Sequence, residues 1–342
     1  MSDSLILALE SSCDETAGAI VRNGCEVLSE FVASQVDLHR AYGGVVPEVA
    51  CRAHMECLLP GVDKLVHDAG VTPGQLDAVA VTNRPGLIGA LLVGVSAAKA
   101  LSLAWNKPLI GVDHVEAHIA AAELAEPSLR PPYVALVVSG GHTNIFLVED
   151  AADGMTAMRC LSATLDDAAG EAFDKAAKLL GLGFPGGPLI EKASAGGNGL
   201  AYAWKNACLP KDGVNFSFSG LKTAVLYLAR GKAGRKGPLL LNADEVRDAA
   251  ASFQEAAVHA LVSRTMDAAA RHGVRWIALG GGVAANGCLR KTLAAAAAEQ
   301  GVNTAIPPMR LCTDNAVMVA ARAHRLFRAG VRSELTLETV AR

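Results

Sequence analysis

Apolar residues in this chain are grouped in short runs between turn residues, and their spacing in the first half predicts strands followed by helices. Asn23-Gly24 separates two of the runs, and this dipeptide is typical of a two-residue β-hairpin. A helix is predicted to begin near Pro47, because proline is favoured in the first helical turn. The predicted strands of the first half are residues 5–10, 17–21, 25–32, 78–81 and 108–113.

The same order of elements returns in the second half of the chain. Strands are predicted at 133–138, 144–148, 155–161, 276–279 and 303–306, and helices at 166–180, from 188 to about 195, at 243–272 and up to 328. Residues 196–236 are rich in glycine and basic residues and are predicted to be irregular. Each half is thus a three-stranded meander with helices, then strand–turn–helix, then strand–helix, which indicates an internal duplication in an α/β protein.

A pair of histidines follows one of the predicted strands. Asp113 is a suitable N-cap for the next helix, on which His114 and His118 are four residues apart. That spacing places both imidazoles on one face, where they can bind a single divalent metal. Glu116 lies roughly 200° around the helix from the metal-binding face at 3.6 residues per turn, unlike the glutamate of the zinc-protease pattern. Two ordinary histidines on a helix surface are the alternative interpretation.

The duplication suggests a third ligand for such a metal. The strand-to-helix junction that carries the histidines corresponds to residues 306–315 of the second half. If the two halves face each other about a pseudo-twofold axis, Asp314 meets the imidazoles in the cleft between them. Two histidines and one carboxylate leave coordination positions open for a substrate or water. The alternative is that Asp314 or Thr313 merely caps the last helix.

Three glycine-containing or small-residue loops follow predicted strands at Ser11–Thr16, Ser139–Thr143 and Gly280–Asn286. Without a Cβ, glycine lets backbone N–H groups approach phosphate oxygens, and a helix that begins just afterwards adds its positive end. None of the loops has the P-loop or the dinucleotide spacing. Three such loops at equivalent points of a duplicated fold favour a nucleotide in the cleft, whereas plain tight turns are the alternative.

The overall charge and the cysteines limit the classes of partner and location. The formal net charge is −3, so contact with a nucleic acid needs a local patch. The clearest basic cluster is Arg230, Lys232, Arg235 and Lys236, for which a solvated surface face is the alternative. The eight cysteines form no Cys-x-x-Cys pair and no signal peptide is recognisable, so we expect reduced thiols in the cytoplasm. Residues 86–105 are predicted to form a buried helix rather than a membrane span.

Nine segments, in this order, resemble the family of tRNA N6-adenosine threonylcarbamoyltransferases, once described as O-sialoglycoprotein endopeptidases. They are residues 10–16, 42–48, 114–118, 138–143, 167–175, 184–188, 216–222, 281–286 and 312–315. The resemblance runs nearly end to end and implies an actin/Hsp70/sugar-kinase-like (ASKHA) fold of two ribonuclease-H-like lobes with an interlobe cleft. The lobes implied are residues 1–130 and 131–313, the second with an insertion at about 196–272, and the helix in 314–342 packs back on the first lobe.

The resemblance also implies an activity and partners. The family transfers a threonylcarbamoyl group from threonylcarbamoyl-AMP to N6 of adenosine 37 in tRNAs that read codons beginning with adenine. Its bacterial members are thought to act with a paralogous pseudo-enzyme and a small ATPase, and no membrane is involved. For the tRNA, the basic cluster around Arg230 is our candidate contact.

Site residues can be carried over position by position. His114, His118 and Asp314 match the family's ligands for one divalent metal per subunit, usually iron and sometimes zinc. Asp14 is our own candidate for a general base, with an acceptor in a turn as its alternative role. Arg84 stands where the family usually has glycine, so we expect a stiffer loop or a different contact there. The residues that match substrate or nucleotide contacts are Val137, Val138, Ser139, Gly140, Gly141, Asp174, Gly187, Glu191 and Asn286.

The implied reaction is the attack of a weak aromatic amine on an activated carbamoyl group. Such a step depends on orientation and on stabilisation of an oxyanion more than on a nucleophilic side chain, so we expect no covalent enzyme intermediate. Three other functions remain open at this stage. They are a metalloprotease, which the position of Glu116 disfavours, an ATPase or sugar kinase of the same fold, and a non-catalytic scaffold gated by a nucleotide.

Overall fold

Ten strands and ten α-helices are formed by the residues that this computed structural model describes, which are 3–151, 156–211, 213–231, 234 and 237–341. The strands are β1 (Leu5–Glu10), β2 (Glu15–Arg22), β3 (Glu26–Ser34), β4 (Ala78–Arg84), β5 (Leu109–Asp113), β6 (Tyr133–Val138), β7 (Thr143–Asp150), β8 (Thr156–Ala163), β9 (Trp276–Gly280) and β10 (Asn303–Ala305). The helices are α1 (Val36–Arg40), α2 (Pro47–Asp68), α3 (Ile88–Trp105), α4 (His114–Ala125), α5 (Ala169–Leu179), α6 (Gly186–Ser194), α7 (Ser219–Arg230), α8 (Ala243–His272), α9 (Gly287–Glu299) and α10 (Ala316–Arg328). Met155, where one strand was predicted to begin, lies outside the described residues, as do Lys232, Arg235 and Lys236.

The strands form two five-stranded sheets with the same topology. Their orders are β3-β2-β1-β4-β5 and β8-β7-β6-β9-β10. In each sheet the first three strands in chain order pair antiparallel, and the last two add in parallel. This repeat confirms the duplication that the order of apolar runs predicted.

The hairpin between β2 and β3 shows how local sequence sets the strand register. Asn23 and Gly24 have φ of 53° and 71°, as the central residues of a tight turn closed by the N–H of Cys25 and the carbonyl oxygen of Arg22 at 3.2 Å. The connection is one residue longer than the predicted two-residue hairpin, because Arg22 pairs with Glu26 and Cys25 stays between the strands. Strand β1, which precedes the hairpin in the chain, is buried along its whole length, because helices cover its sheet on both faces. The alternation of polar and apolar residues is therefore absent from β1, whose sequence is Leu-Ile-Leu-Ala-Leu-Glu.

Contacts divide the chain into two compact units. Unit 1 consists of Met1–Pro127, Ala151–Met155 and Thr313–Arg342, and unit 2 consists of Ser128–Asp150 and Thr156–Cys312. The last segment belongs to unit 1 because α10 packs on β1, β2 and α4. Its buried face, which includes Val317, Val319 and Ala320, covers the apolar sheet of that unit.

Asp314 therefore lies in the same unit as the two histidines. From the duplication we expected it to reach them from the opposite half, and this was wrong. The junction before α10 does correspond in order to the one before α4. However, α10 buries its apolar stripe on the first sheet, so the residues just before it stay with unit 1.

Unit 2 differs from the sequence prediction at two helices. Residues 219–230 form α7 within the stretch predicted to be irregular. α5 begins at Ala169 rather than at Asp166, because the Asp166 carboxylate accepts hydrogen bonds from the backbone N–H groups of Phe218 and Ser219 at 2.8 and 3.2 Å. Asp166 thus satisfies the free N–H groups at the beginning of α7 instead of continuing its own helix.

Helix α3 was predicted to be a buried helix. One face is buried, through Leu91, Val95 and Ala98 among others, and packs against β4 and α2. The opposite face is open, and Leu92 and Leu103 are 51% and 70% exposed. Among the described residues, α3 is the one helix whose length and hydropathy meet the requirements of a membrane span, and proteins without a membrane segment also contain such helices.

Candidate metal centre and nucleotide loops

The two histidines are placed by the junction between β5 and α4. The Asp113 side chain caps α4, accepting hydrogen bonds from the N–H groups of Val115 and Glu116 at 2.9 and 3.2 Å, as predicted. His114 and His118 then occupy one face of the helix, with ring centroids 4.6 Å apart. Both are buried, at 4% and 1% exposure. They are therefore not ordinary surface histidines.

The Asp314 carboxylate completes the cluster. Its Oδ1 lies 3.4 Å from Nε2 of His114 and 3.3 Å from Nε2 of His118. Capping of α10 is left to Asn315, whose Oδ1 accepts a hydrogen bond from the N–H of Met318 at 2.9 Å. The alternative role of Asp314 as a helix cap is therefore excluded, and its carboxylate is directed at the imidazoles.

These three side chains fit a divalent metal by two observations. Their ligand atoms all lie within 4.8 Å of one another. A tetrahedral site with metal–ligand bonds of about 2.05 Å has edges of about 3.3 Å, which matches the separations of Asp314 Oδ1 from the two imidazole nitrogens. In addition, neither ring nitrogen of His118 makes a well-directed hydrogen bond within the described part of the chain, although the ring is buried. A buried nitrogen without a partner is costly, and a metal ligand role removes that cost.

The charges of the cluster depend on one another. Burial alone would raise the pKa of Asp314, but the charge of His114 and the closeness of both imidazoles outweigh burial and hold this pKa far below its usual range. Burial lowers the pKa of His118, and the nearby charge of His114 lowers it further. These shifts favour an ionised Asp314 and a neutral His118, as metal ligands require. For His114, burial is outweighed by the charges of Asp314 and Glu10, which raise its pKa well above its ordinary value, so a metal must displace a proton from this imidazole.

A second carboxylate, Glu10, lies behind His114 and was not recognised from the sequence. Its Oε2 is 3.0 Å from Nδ1 of His114, and Glu10 itself is 0% exposed. Thr82 Oγ1 donates to the same oxygen at 2.6 Å. The usable signal was a glutamate at the end of an otherwise apolar strand, since a buried charge needs specific partners.

Glu116 faces away from the histidines, as predicted, and forms an ion pair with Arg322 of α10 at 2.7 Å. About two helical turns further along, Glu123 pairs with Arg325 at 2.8 Å. These pairs join the helix that carries the imidazoles to the helix that follows Asp314. The pairing of Glu116 with Arg322 keeps this carboxylate away from the imidazoles, which argues against a metalloprotease.

Asp14 lies in the turn between β1 and β2, in the same unit as the metal cluster, and is half-buried. Its backbone carbonyl accepts a hydrogen bond from the N–H of Gln35 at 3.0 Å. Its carboxylate lies beside that of Glu15 and, after burial and the charge of Asp314, helps to raise the pKa of Glu15. Its role as a base stays a prediction.

In unit 2, the loop after β6 is held by two close backbone approaches. A Cβ on Gly170 would lie 2.6 Å from the carbonyl oxygen of Ser139, and one on Gly281 would lie 2.3 Å from that of Val138. On the other side of the loop, a Cβ on Gly140 or Gly141 would meet no atom within 4 Å. The loop is thus packed against Gly170 and Gly281 and open to solvent at Gly140 and Gly141. Val137 and Val138, which precede it, are buried strand residues.

The next two predicted contacts lie where α5 meets α6. The Asp174 carboxylate accepts a hydrogen bond from the N–H of Gly186 at 2.6 Å. A Cβ on Gly186 would lie 2.4 Å from the carbonyl oxygen of Phe173, so only glycine fits there. By contrast, a Cβ on Gly187 would meet no atom within 4 Å. Gly187 therefore begins α6 beside open space, as a nucleotide contact requires.

Asn286 and Glu191 both lie at the N-terminus of α9. Asn286 Oδ1 caps the helix by accepting from the N–H of Leu289 at 2.9 Å, and its Nδ2 donates to Gln254 at 2.8 Å. Glu191 accepts a hydrogen bond from the N–H of Gly287 at 2.8 Å. Both side chains therefore also have a structural role, and the carboxylate of Glu191 occupies part of the helix end that could hold an anion.

The structure also places two cationic residues that were singled out. Arg84 donates from Nε to Asp113, the cap of α4, at 3.2 Å, so a different contact does exist where the family usually has glycine. Arg230 donates to the carbonyl oxygens of Leu179 and Gly237 at 3.1 and 3.0 Å. Arg230 is therefore engaged with the backbone and is a poor member of a nucleic-acid-binding cluster.

Solved structures with a similar fold agree with the two matching sheets. Component A of (R)-2-hydroxyglutaryl-CoA dehydratase from Acidaminococcus fermentans has a TM-score of 0.53 at 15% identity and covers 96% of this chain and 100% of its own. Full-length HypF, in a phosphate- and nucleotide-bound form, has a TM-score of 0.62 at 13% identity, covering 96% of this chain and 47% of HypF. At such identities the likeness shows the fold alone, and it confirms the α/β, actin/Hsp70/sugar-kinase-like class.

Sequence comparison identifies the family. The family model for tRNA N6-adenosine threonylcarbamoyltransferase matches residues 26–321. A protein of that name from Symbiobacterium thermophilum is 53% identical over 340 residues, which cover 99% of this chain and 96% of the relative. The resemblance found in the motifs is thereby confirmed, and this chain belongs to the tRNA N6-adenosine threonylcarbamoyltransferase family.

Proposed function

We propose that this protein transfers the threonylcarbamoyl group of threonylcarbamoyl-AMP to N6 of adenosine 37 in tRNAs that read codons beginning with adenine. Relatives that bear the name of this transferase match this chain over nearly their whole length. Within the chain, the observation that supports the proposal best is the buried cluster of His114, His118 and Asp314.

We further propose that this cluster holds one divalent ion, iron or alternatively zinc. Two imidazoles and one carboxylate suit either ion and leave positions open for oxygen ligands of the substrate. When bound, such an ion supplies a Lewis acid that polarises a carbonyl or grips phosphate oxygens. His118 and Asp314 are already in the protonation states for binding, since their pKa values are both shifted downward.

The adenylate is proposed to bind in unit 2. Gly140 and Gly141 lie beside open space where their backbone N–H groups can meet an anion, and Gly187 does the same in the first turn of α6. The N–H of Ser139 instead donates to the carbonyl oxygen of His142 at 2.8 Å and holds the loop. Val137 and Val138 are buried, so they contribute through the backbone at the end of β6. We propose that the side chains of Asp174 and Asn286 contact the adenosine and ribose. Glu191 is a further candidate, whose carboxylate also accepts a hydrogen bond from the N–H of Gly287.

The reaction forms a bond between N6 of the adenosine and the carbamoyl carbon. The bond between that carbon and the phosphate oxygen breaks, AMP leaves with the electron pair, and one proton leaves N6. We propose Asp14 as the acceptor of this proton. No cysteine is needed as a nucleophile. Cys13, which precedes Asp14 in the chain, is unsuited to attack because burial and the charge of Asp14 raise the pKa of its thiol well above its ordinary value.

For tRNA, we propose contact through the basic segment that follows α7 in the sequence. Because Arg230 is engaged with backbone carbonyls, the contact should depend on the three cations that follow it, Lys232, Arg235 and Lys236. Reversing these three charges together should weaken tRNA binding and reduce its salt dependence, measured by filter binding at several salt concentrations. Unchanged affinity and salt slope would remove this segment from the interface.

We also propose that the protein acts together with a paralogous pseudo-enzyme and a small ATPase, and that it works in the cytoplasm.

The central test is a modification assay. The purified, metal-loaded chain is incubated with partner proteins, threonylcarbamoyl-AMP and unmodified tRNA, and the digested nucleosides are measured by mass spectrometry. We expect threonylcarbamoyladenosine from the wild type and at least about a hundredfold less from His118→Ala, in line with the loss of a metal ligand. Unmodified adenosine with wild-type protein, although every component is active in its own assay, would refute the transferase activity.

A further inference from the structure

The carboxylate of Glu10 is among the least accessible charges in the described part of the chain. It ends β1, and its exposure is 0%. An ionised carboxylate in such a position is costly unless every oxygen is hydrogen-bonded. The partners of Glu10 therefore indicate why a charge is placed at the end of an apolar strand.

Each oxygen of Glu10 has defined partners. Oε1 accepts a hydrogen bond from the N–H of Ser12 at 2.6 Å. Oε2 accepts from the hydroxyl of Thr82 at 2.6 Å and faces Nδ1 of His114 at 3.0 Å. The N–H of Ser12 and the hydroxyl of Thr82 thus hold one oxygen each, and Oε2 presents a further acceptor site to the imidazole.

This contact decides which imidazole nitrogen carries hydrogen. A carboxylate can only accept, so Glu10 keeps hydrogen on Nδ1 of His114 and leaves Nε2 as the nitrogen that gives up its hydrogen when a metal binds. Nε2 is the atom that lies 3.4 Å from Asp314. The Ser12 hydroxyl, 3.2 Å from Nδ1, can share the same hydrogen and leaves this assignment unchanged.

We infer that Glu10 is a positioning residue, which holds His114 as the Nδ1–H tautomer with Nε2 aimed at the metal position. This inference rests on the metal site proposed above and goes beyond it, because Glu10 itself touches neither metal nor substrate. Carboxylates behind a metal-binding histidine typically strengthen metal affinity by 10–100-fold. We expect an effect of that size here.

The first test compares zinc affinity of the wild type and Glu10→Gln by competition with a chromophoric chelator. Glutamine has the same shape but must turn its NH₂ either towards the N–H of Ser12 or towards His114. In the first orientation the NH₂ group faces another donor, the N–H of Ser12. In the second it donates to Nδ1 of His114, which moves the imidazole hydrogen to Nε2. We expect the Kd for zinc to rise by about 10–100-fold.

A matched control lies at the other end of β1. Asp77 accepts a hydrogen bond from the N–H of Leu5 at 2.7 Å, as Glu10 does from Ser12. Asp77→Asn should therefore disturb the same strand while leaving the Kd for zinc within about twofold of the wild type. An equal loss of affinity in both variants would mean that Glu10 acts only through stability, and would overturn the inference.

A second measurement needs no variant and remains decisive if Glu10→Gln does not fold. In zinc-loaded wild type labelled with ¹⁵N-histidine, long-range ¹H–¹⁵N spectra show which nitrogen of His114 carries hydrogen. We expect Nδ1–H and zinc-bound Nε2; zinc on Nδ1 would overturn the inference. If the wild type binds no zinc or iron at all, the proposed metal site fails. If it binds and Glu10→Gln binds equally well, only the role of Glu10 fails.

Discussion

At the scale of single residues, Arg84 is where the chain departs from the family pattern. Its Nε contacts the Asp113 carboxylate, which also caps α4 with its other oxygen. The Arg84 side chain is 55% exposed, so this ion pair is weakened by solvent. We expect Arg84→Ala to lower the free energy of unfolding by less than about 0.5 kcal/mol.

The matched variant for that prediction is Asp113→Ala, which removes the helix cap as well. We expect it to cost about 1–2 kcal/mol, because two N–H groups at the beginning of α4 lose their acceptor. Urea unfolding of both variants separates the two roles. If Arg84→Ala is as costly as Asp113→Ala, the arginine supports the helix more than its exposure indicates.

Glu15 permits a prediction about pH. Burial, and then the charges of Asp314 and Asp14, raise its pKa to about 9 in the metal-free protein. Because this folded-state pKa lies above the value near 4.5 of an unfolded chain, the wild type loses stability as pH rises from about 4.5 to about 9. Glu15→Gln does not titrate. We therefore expect the metal-free variant to exceed the wild type by about 1 kcal/mol or more at pH 8 and to match it near pH 4.

Thermal unfolding of both proteins across this pH range tests the expectation. Parallel stability curves from pH 4 to pH 9 would show that Glu15 ionises normally in the folded state. Repeating the series with zinc gives a second check, because zinc neutralises Asp314 and removes part of the cause. The difference between wild type and Glu15→Gln at pH 8 should then become smaller.

Single residues also show how far the sequence alone could lead. His114 and His118 were identified because helical spacing is a local property. Asp314 followed from the duplication and the family motif. The duplication assigned it to the wrong unit, whereas the resemblance placed residues 314–342 against the first lobe. Glu10 was missed, since its side-chain partners Thr82 and His114 are 72 and 104 positions away and only the folded chain brings them together.

At the scale of elements, the contact between α4 and α10 holds the metal ligands in place. Its two ion pairs differ in which partner is buried: Arg322 is 8% exposed beside Glu116 at 24%, whereas Arg325 is 41% exposed beside Glu123 at 8%. Solvent can therefore reach the guanidinium of Arg325 more easily than that of Arg322. We expect Glu116→Gln to cost about 2 kcal/mol, since it removes the carboxylate facing a nearly buried guanidinium. Glu123→Gln, beside the exposed arginine, should cost less than about 1 kcal/mol.

Both variants are compared by urea unfolding and by zinc competition. We expect Glu116→Gln to weaken zinc binding as well, because α10 directly follows the segment that carries Asp314. Equal and small effects in the two variants would mean that apolar packing alone sets the position of α10. The sequence could predict that Glu116 faces away from the histidines, but not that it forms an ion pair with Arg322.

The elements themselves were predictable where their signals are local. Apolar runs, Asn23-Gly24 and Pro47 predicted strands, a hairpin and the beginning of α2 close to their observed positions. α7 was missed because its preceding residues contain glycine and serine and its cap comes from Asp166, more than 50 positions earlier. An acceptor that distant leaves no pattern in the sequence around the helix.

At the scale of the whole molecule, the two sheets share one topology but their units carry different chemistry. The predicted metal ligands and Asp14 belong to unit 1, whereas the glycine loop after β6, Asp174, Gly187 and Asn286 belong to unit 2. The order of apolar runs was enough to predict the repeat, since each strand and helix leaves its own period in the sequence. It could not predict that residues after Cys312 return to unit 1, because that depends on which sheet α10 covers.

This division predicts where metal binding stabilises the protein. All three ligands lie in unit 1, on α4 and just before α10, which are separated by about two hundred positions of chain. A metal that joins them opposes local opening of both helices, and at a concentration of 100 times Kd it adds about 2.7 kcal/mol to the stability of the folded state. We expect zinc to slow hydrogen exchange in α4 and α10 and to leave α8 of unit 2 unchanged.

Hydrogen exchange followed by mass spectrometry, with and without zinc and with added chelator, measures this directly. His118→Ala is the control, because it keeps α4 but removes one ligand, and its exchange should no longer respond to zinc. Protection that appears first in α8 or around the loop after β6 would place the ion in unit 2. Protection confined to α4 and α10 requires Asp314 and the imidazoles to share one ion, because these ligands are what connects the metal to both helices.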